Sequence, residues 1–164
     1  MTIPLYQTDS YLREFTAAVT AVDEAAHAVI LDQSAFYPGG GGQPCDLGWL
    51  WMGVEKLTVE KVKKGPEGAL HFLSADCPLP AVGTALRGEL DWERRYALMR
   101  THTAMHILCG VVFRDYGAQV TGGDMEPLQG RMDFEFEALS KDLVGLIEAA
   151  VNAEVSAAHP VRVQ

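Results

Sequence analysis

The sequence has few cysteines and no long apolar run. Its three cysteines, Cys45, Cys77 and Cys109, are widely spaced, and no C-x-x-C pair occurs. This pattern excludes a disulfide framework and is typical of reduced thiols in the cytoplasm. No apolar run approaches the roughly 20 residues that span a bilayer, and the N-terminal stretch MTIPLYQTDS lacks a basic region followed by an apolar core. We therefore predict a cytoplasmic protein with no membrane partner.

Basic residues are also scarce. The chain has 13 lysines and arginines against 22 aspartates and glutamates, for a formal net charge of −9. This charge argues against a general nucleic-acid binder, because neutralising phosphates needs cations. A local basic face stays open, since Arg94, Arg95 and Arg100 cluster in one segment and four lysines fall within 56–64. For either cluster taken alone, a solvated surface is the simpler interpretation.

The first half of the chain has the pattern of short strands. Apolar runs at 15–22 and 27–32 flank the polar turn DEAA, which predicts a hairpin, and the stretch 54–64 predicts a strand with one wet face. The turn residues GPEG precede a further strand at ALHFL. Several short strands with regular turns indicate a small barrel or sandwich.

The second half begins with a long helical pattern. Asp91 is a suitable N-cap for this helix, and a strand pair around the loop DMEPLQ follows it. Ser140 can cap a final amphipathic helix. We therefore predict an α+β fold with two domains, a small β-barrel domain at 1–88 and an α+β domain at 89–164.

Two histidines, His102 and His106, stand four residues apart in the segment RTHTAMHIL. On a helix this spacing places both imidazoles on one face, where both can reach one ion at about 2.0–2.1 Å. Thr103 takes the position of the glutamate in the protease motif H-E-x-x-H, which disfavours a metalloprotease. The pair alone does not decide between a metal site and two ordinary histidines on a helix face.

Four consecutive glycines, Gly39, Gly40, Gly41 and Gly42, precede Gln43. Glycine allows positive φ and close approach of a ligand to the backbone, and a run of N–H groups can hold an anion or a polar ligand. The stretch does not match a nucleotide-binding P-loop, because it lacks G-K-[ST] and no helical pattern follows it. A flexible loop is the alternative, although ordering four glycines costs enough conformational entropy to indicate a function.

Five stretches together resemble a known family. The segments LYQTDSYLREF, FYPGGGGQP, DWERRYALMRTHTAMHIL, VTGG and RMDFEF occur in this order over nearly the whole chain. This series is similar to that of the AlaX-type alanyl-tRNA editing proteins, free-standing relatives of the editing domain of alanyl-tRNA synthetase. The resemblance implies an N-terminal β-barrel joined to an α+β editing domain of the kind shared with threonyl-tRNA synthetase. It also implies a zinc ion (Zn2+) held by His102, His106 and a later C-x-x-x-H pair.

The second half of that ligand set has no counterpart in this sequence. No C-x-x-x-H occurs, and the chain stops at HPVRVQ. Either the chain is truncated or the protein lacks half of the site, and we expect truncation because the match is otherwise in register. Cys109, three residues after His106, could complete a triad from the same helix, although the family does not use this position. His159 is a weaker candidate.

The resemblance implies a zinc-dependent trans-editing hydrolase. Binding alone separates alanine poorly from serine and glycine, so a second site must hydrolyse the wrong ester. The expected partner is tRNA(Ala) mischarged with serine or glycine, with the preference between them open. Zinc would activate water or position the substrate, and Thr103 would orient water or substrate unless its hydroxyl bonds its own helix backbone. We expect substrate contacts from Gly39 to Gln43 and from Arg100, and tRNA contacts from Arg94 and Arg95.

Two other functions stay open. An incomplete ligand set would suit a metal- and tRNA-binding module without hydrolytic activity. A generic zinc hydrolase would cleave small esters that carry no tRNA. Metal content, deacylation of Ser-tRNA(Ala) and activity on small esters separate the three hypotheses.

Overall fold

The computed structural model describes residues 1–136, 138 and 140–160. The chain divides into two compact units, Met1–Tyr96 and Ala97–Gln164. The division falls about one turn into a long helix. The sequence pattern places a boundary between residues 88 and 89, ahead of that helix.

The first unit is built from strands. In chain order they are β1 Ile3–Pro4, β2 Glu14–Asp23, β3 Ala28–Leu31, β4 Gln33–Ser34, β5 Gly48–Met52, β6 Glu55–Lys64, β7 Ala69–Leu73 and β8 Ala85–Leu90. Six of them close a barrel in the order β2-β3-β7-β6-β5-β8, and every neighbouring pair is antiparallel. The short strands β1 and β4 form a separate parallel pair.

Alternating side chains fill the barrel. On β2, Phe15, Ala17 and Val19 are buried, as expected when successive side chains of a strand point to opposite faces. Gly88 on β8 leaves room for this core, because a Cβ there would lie 2.3 Å from the Phe15 ring. The predicted hairpin is confirmed as β2–β3, and the predicted strands that follow are confirmed as β6 and β7. The predicted α+β class is confirmed as well.

One histidine is buried inside this apolar interior. His71 has no exposed surface, its Nε2 lies 2.8 Å from Ser34 Oγ, and its Nδ1 lies 3.3 Å from the Val29 carbonyl oxygen. Ser34 Oγ in turn accepts a hydrogen bond from the Phe36 amide at 3.2 Å. A protonated Nδ1 and an unprotonated Nε2 satisfy all three groups, which assigns the neutral tautomer. Burial lowers the pKa of His71 to about 4.

The second unit combines helices with one hairpin. Helix α1, Trp92–Tyr116, begins in the first unit and continues into the second, where β9 Val120–Glu126, β10 Gln129–Phe134 and α2 Lys141–Ala157 follow. Strands β9 and β10 pair antiparallel, as the sequence predicts. Both predicted caps are confirmed, since Asp91 Oδ1 accepts from the Arg94 amide at 3.1 Å and Ser140 Oγ accepts from the Leu143 amide at 3.1 Å.

A small apolar cluster holds α1, the hairpin and α2 together. Its buried members are Val112, Ala118 and Ile147, and its partly buried members are Leu108, Phe134, Phe136, Leu143 and Val151. Thr101 adds a hydrogen bond between α1 and the hairpin, because its hydroxyl donates to the Glu126 carbonyl oxygen on β9 at 3.3 Å. In the part of the chain that the structure describes, no helix combines the length and apolarity needed to cross a membrane.

Candidate functional site

The two histidines of α1 lie side by side. The ring centroids of His102 and His106 are 4.8 Å apart and the rings are inclined by only 14°. His102 is half-buried and His106 is exposed. Burial lowers the pKa of His102, and the charge on His106 lowers it further. His102 therefore favours the neutral form, in which an imidazole nitrogen can bind a metal ion or accept a proton.

The pair supplies at most half of a tetrahedral zinc site. Structural zinc takes four protein ligands and catalytic zinc takes three, but no cluster of three His, Cys, Asp or Glu residues able to hold a metal occurs among the described residues. The alternative triad with Cys109 is therefore wrong. The Cys109 thiol lies 3.8 Å from Met132 Sδ instead, and burial raises its pKa, which disfavours the thiolate. The described residues alone do not fit a complete zinc site.

Thr103 lies between the two histidines in sequence, and its hydroxyl donates to the Met99 carbonyl oxygen at 3.0 Å. This is the backbone interaction that the sequence analysis left open as the alternative to a substrate contact. Its donor is therefore occupied, although its lone pairs can still accept a hydrogen bond. Thr103 also lines a cavity of about 540 Å³ between α1 and the end of α2.

Three ionisable residues, Arg114, Glu154 and His159, also line this cavity. Arg114 on α1 forms an ion pair with Glu154 on α2, and Glu154 also lies 3.2 Å from Nε2 of His159. His159, the weaker metal candidate, therefore interacts with a carboxylate on α2.

The glycine run forms an ordered tight turn in the first unit. Gly40 and Gln43 exchange two backbone hydrogen bonds of 3.0 and 3.2 Å. Gly41 and Gly42 at the tip have φ of +62° and +81°, and positive φ at both central residues is what a type I′ turn requires. Both tip residues are exposed. The turn therefore presents backbone with no side chain in the way of a ligand.

A buried ion pair anchors the segment that leads to this turn. Asp46 Oδ2 accepts from the Tyr37 amide at 2.6 Å, and the Asp46 amide donates back to the Tyr37 carbonyl oxygen at 3.0 Å. The Tyr37 hydroxyl donates to the Gly40 carbonyl oxygen at 3.0 Å. Asp46 is itself paired with the guanidinium of Arg95 on α1. The turn is thus held through Tyr37 and Asp46, two residues whose role has no local signal in the sequence.

The three arginines that are predicted to contact tRNA or substrate differ in burial and in hydrogen-bond partners. Arg95 is only 3% exposed, and its guanidinium also donates to the carbonyl oxygens of Ser10 and Ala35. Reaching a phosphate would break this network, and the tRNA contact of Arg95 stays a prediction. Arg94 is half-buried, and its buried Nε has no hydrogen-bond partner among the described residues. Arg100 is exposed, and its substrate contact stays a prediction.

Comparison with known proteins places the chain in a family. A family model for class II (A) tRNA synthetases matches residues 7–94. The alanyl-tRNA editing protein AlaX-M of Saccharolobus solfataricus is 42% identical over 92% of this chain. The AlaX-M protein of Methanosarcina acetivorans is 39% identical over 98% of this chain and 68% of its own length. The chain belongs to the AlaX-M family of alanyl-tRNA editing proteins.

The matches to AlaX-M proteins extend over nearly the whole chain. The class II (A) match ends at Arg94, whereas the Methanosarcina acetivorans relative matches 98% of the chain. The alanine–tRNA ligase of Ignicoccus hospitalis is 36% identical over 96% of the chain but only 17% of its own length. The chain spans 63% of the Saccharolobus solfataricus AlaX-M protein and 68% of the Methanosarcina acetivorans one.

Proposed function

We propose that this chain carries active-site residues of a trans-editing hydrolase that deacylates tRNA(Ala) mischarged with serine or glycine. The observation that supports this most is the pair of adjacent imidazoles on α1, 4.8 Å apart, in a chain of the AlaX-M family. The relatives are named as alanyl-tRNA editing proteins. Hydrolysis of the wrong ester is what such a task requires.

The reaction needs little more than a positioned ester and a proton acceptor. Water oxygen bonds to the ester carbonyl carbon, the bond from that carbon to the ribose oxygen breaks, and the ribose leaves as a hydroxyl that takes up a proton. Burial and the neighbouring His106 lower the pKa of His102, so an unprotonated ring nitrogen is present at neutral pH. Such a nitrogen can accept a proton from water or hold a metal ion.

Zinc is part of the proposal as the cofactor. His102 and His106 would hold it, and zinc would supply a polarised water or a fixed position for the substrate. The described residues bring no further ligand to this pair. This chain alone should therefore bind zinc weakly and deacylate slowly.

We also propose that the exposed tip of the glycine turn contacts the substrate. Gly41 and Gly42 offer exposed backbone without side chains. Arg100, which is exposed, and Arg94, which is half-buried, are the proposed cationic contacts to tRNA.

The test follows the loss of labelled serine from Ser-tRNA(Ala), with Ala-tRNA(Ala) as the ester that should be spared. Three proteins are compared: this chain, a chimera that adds to it the part of the Methanosarcina acetivorans AlaX-M protein that the match does not cover, and His106→Ala in that chimera. His27→Ala in the chimera, at a histidine of the first unit, is the matched control outside the pair. Elemental analysis gives the zinc content of each.

We expect the chimera to hold zinc and to deacylate Ser-tRNA(Ala), and His106→Ala to lose most of both. This chain alone should hold little zinc and deacylate Ser-tRNA(Ala) slowly. A chimera that holds zinc yet leaves the serine ester intact would overturn the hydrolase proposal. That result would favour the binding module, the alternative supported by the incomplete ligand set. Equal zinc in the chimera and in His106→Ala would refute the metal assignment.

A further inference from the structure

Three aromatic side chains lie in a row where α1 begins, with a half-buried Trp92 between two exposed tyrosines. The ring centroids of Tyr11 and Trp92 are 5.8 Å apart and inclined by 48°, and those of Trp92 and Tyr96 are 5.8 Å apart and inclined by 23°. Tyr11 is 60% exposed and Tyr96 is 44% exposed. All three rings belong to the first unit. The deacylation chemistry uses none of these residues, which are named together here as the aromatic platform.

A cation lies on this platform. The Arg13 guanidinium carbon is 4.3 Å from the centroid of the Trp92 ring. Within the described part of the chain no carboxylate pairs with Arg13, whereas Arg87 and Arg95 are both in ion pairs. The Arg13 charge is therefore held in place by a ring while remaining available to an anion.

The backbone fixes the platform before any ligand arrives. The Leu90 amide donates to the Arg13 carbonyl oxygen at 2.9 Å, which ties the Tyr11–Arg13 segment to the residues preceding α1. The buried Arg95 side chain donates to the Ser10 carbonyl oxygen at 3.0 Å, directly before Tyr11. The Tyr11 amide also donates to Asp9 Oδ1 at 2.9 Å. A rigid arrangement lowers the entropy cost of binding.

Two exposed tyrosine rings, packed on Trp92 beside an arginine that has no carboxylate partner among the described residues, suit one class of ligand well. Unpaired nucleobases stack on tyrosine and tryptophan with little regard to sequence, while an arginine neutralises the adjoining phosphate. Bases inside a duplex are already stacked and cannot use such rings. We propose that Tyr11, Trp92 and Tyr96 form a stacking platform for unpaired RNA bases, with Arg13 pairing to a neighbouring phosphate. The proposed function supplies the source of that RNA, since the editing substrate is a tRNA.

The experiment measures affinity for a short single-stranded oligoribonucleotide and for the same strand annealed to its complement. Tyr11→Ala and Tyr96→Ala should each weaken single-strand binding by roughly fivefold or more, the lower limit for one lost base–ring stack. Tyr96→Phe keeps the ring and should bind like the parent. Arg13→Gln should lower the slope of log affinity against log salt by about 0.7, the value for one phosphate contact on a single strand.

Trp49→Ala is the matched control. Trp49 on β5 also carries a cation, since Lys56 Nζ lies 3.9 Å from its ring centroid, but it is no part of the platform. Its replacement should leave single-strand affinity unchanged. Unchanged affinity in both tyrosine variants, or an equal loss in Trp49→Ala, would overturn the platform.

The outcome of this binding experiment can be distinguished from the outcome of the deacylation test. The oligoribonucleotide carries no ester, so its binding does not depend on hydrolysis. Ring-dependent binding together with an inactive chimera would refute the hydrolase and keep the platform. An active chimera whose tyrosine variants bind single strands normally would keep the hydrolase and refute the platform.

Discussion

At the scale of single residues, the buried pair of Asp46 and Arg95 joins two parts of the first unit. Arg95 Nε lies 3.0 Å from both carboxylate oxygens of Asp46, and the same carboxylate holds the Tyr37 amide. One carboxylate thereby fixes the start of α1 and the approach to the glycine turn. Removing one partner would leave a buried charge without compensation, which is far more costly than losing a surface pair.

Arg95→Met should therefore lower the free energy of unfolding by about 3–5 kcal/mol. Urea denaturation followed by tryptophan fluorescence measures this loss. The control is Arg87→Met, because Arg87 pairs with Glu14 and Glu89 at a partly exposed site. Loss of such a pair costs about 0–1 kcal/mol. Equal losses in the two variants would contradict a structural role for the buried pair.

Gly41 offers a way to separate turn strain from substrate contact. Its φ is +62°, and a Cβ added there would meet no heavy atom within 4 Å. Gly41→Val should destabilise the protein by about 1–2 kcal/mol, because a β-branched residue is strained at positive φ. Gly41→Asn should shift stability by less than about 0.5 kcal/mol, since asparagine tolerates this conformation in a type I′ turn.

The chimera described above measures the effect of the same two changes on turnover. If the turn contacts the substrate, Gly41→Asn slows deacylation while the urea midpoint stays in place. Normal deacylation by a stable Gly41→Asn variant would remove the turn from the substrate site.

His71 makes stability depend on pH. Burial lowers its pKa from 6.5 to about 4 in the folded protein, so the unfolded chain binds the proton more readily. The contribution of His71 to the free energy of unfolding is constant above pH 6.5. It falls as the pH drops from 6.5 towards 4, at a limiting slope of about 1.4 kcal/mol per pH unit. His71→Gln retains a donor and an acceptor but does not titrate.

We expect the parent to lose stability between pH 6.5 and pH 5, a range above the titration of most carboxylates, and His71→Gln to show a much flatter profile there. Urea midpoints at half-unit intervals of pH measure both profiles. Parallel profiles would show that another group carries the dependence.

At the scale of elements, α2 begins with a defined cap. Ser140 Oγ accepts from the Leu143 amide. Ser140→Ala should cost about 1 kcal/mol of stability, as the loss of an N-cap usually does. Ser156, later in the same helix, donates to the Asn152 carbonyl oxygen of the helix itself, so Ser156→Ala should be close to neutral. Urea unfolding of the two alanine variants provides the comparison, and a cost at Ser156 as large as that at Ser140 would count against the cap.

Periodicity and end signals were enough to predict most elements. The hairpin β2–β3, the strands β6 and β7, the long helix α1 and the cap at Ser140 all follow local patterns of apolar, turn and capping residues. Closure of the barrel does not follow from them. It depends on β8 pairing with both β2 and β5, partners that are far apart in sequence and leave no local signal.

In the candidate site too, contacts between residues far apart in sequence could not be predicted from local patterns. The spacing of His102 and His106 predicts that they are neighbours, and the structure places their rings together. Arg95 has the sequence context of a surface arginine, but its partner Asp46 lies 49 residues away and only the fold brings the two together. Burial of an arginine is decided by such distant pairing, so a cluster of cations in sequence does not establish a basic surface.

At the scale of the whole molecule, the barrel and the β9–β10 hairpin differ in how their strands are paired. Each of the six barrel strands has neighbours on both sides, whereas β9 and β10 pair only with each other among the described residues. A two-stranded hairpin is marginally stable by itself. Most residues of β9 and β10 are also exposed.

This difference has a consequence for amide hydrogen exchange. Amides in β2, β5 and β8 should exchange only through global opening, while hydrogen-bonded amides of β9 and β10 should exchange about tenfold to a hundredfold faster through local opening. Exchange in deuterated buffer, read by NMR or by mass spectrometry of peptides, gives the two classes. Equal protection in the hairpin and the barrel would mean that the chain opens as one cooperative unit. With the expected result, the polypeptide around β9 and β10 can rearrange to receive a ligand while the barrel and its glycine turn remain folded.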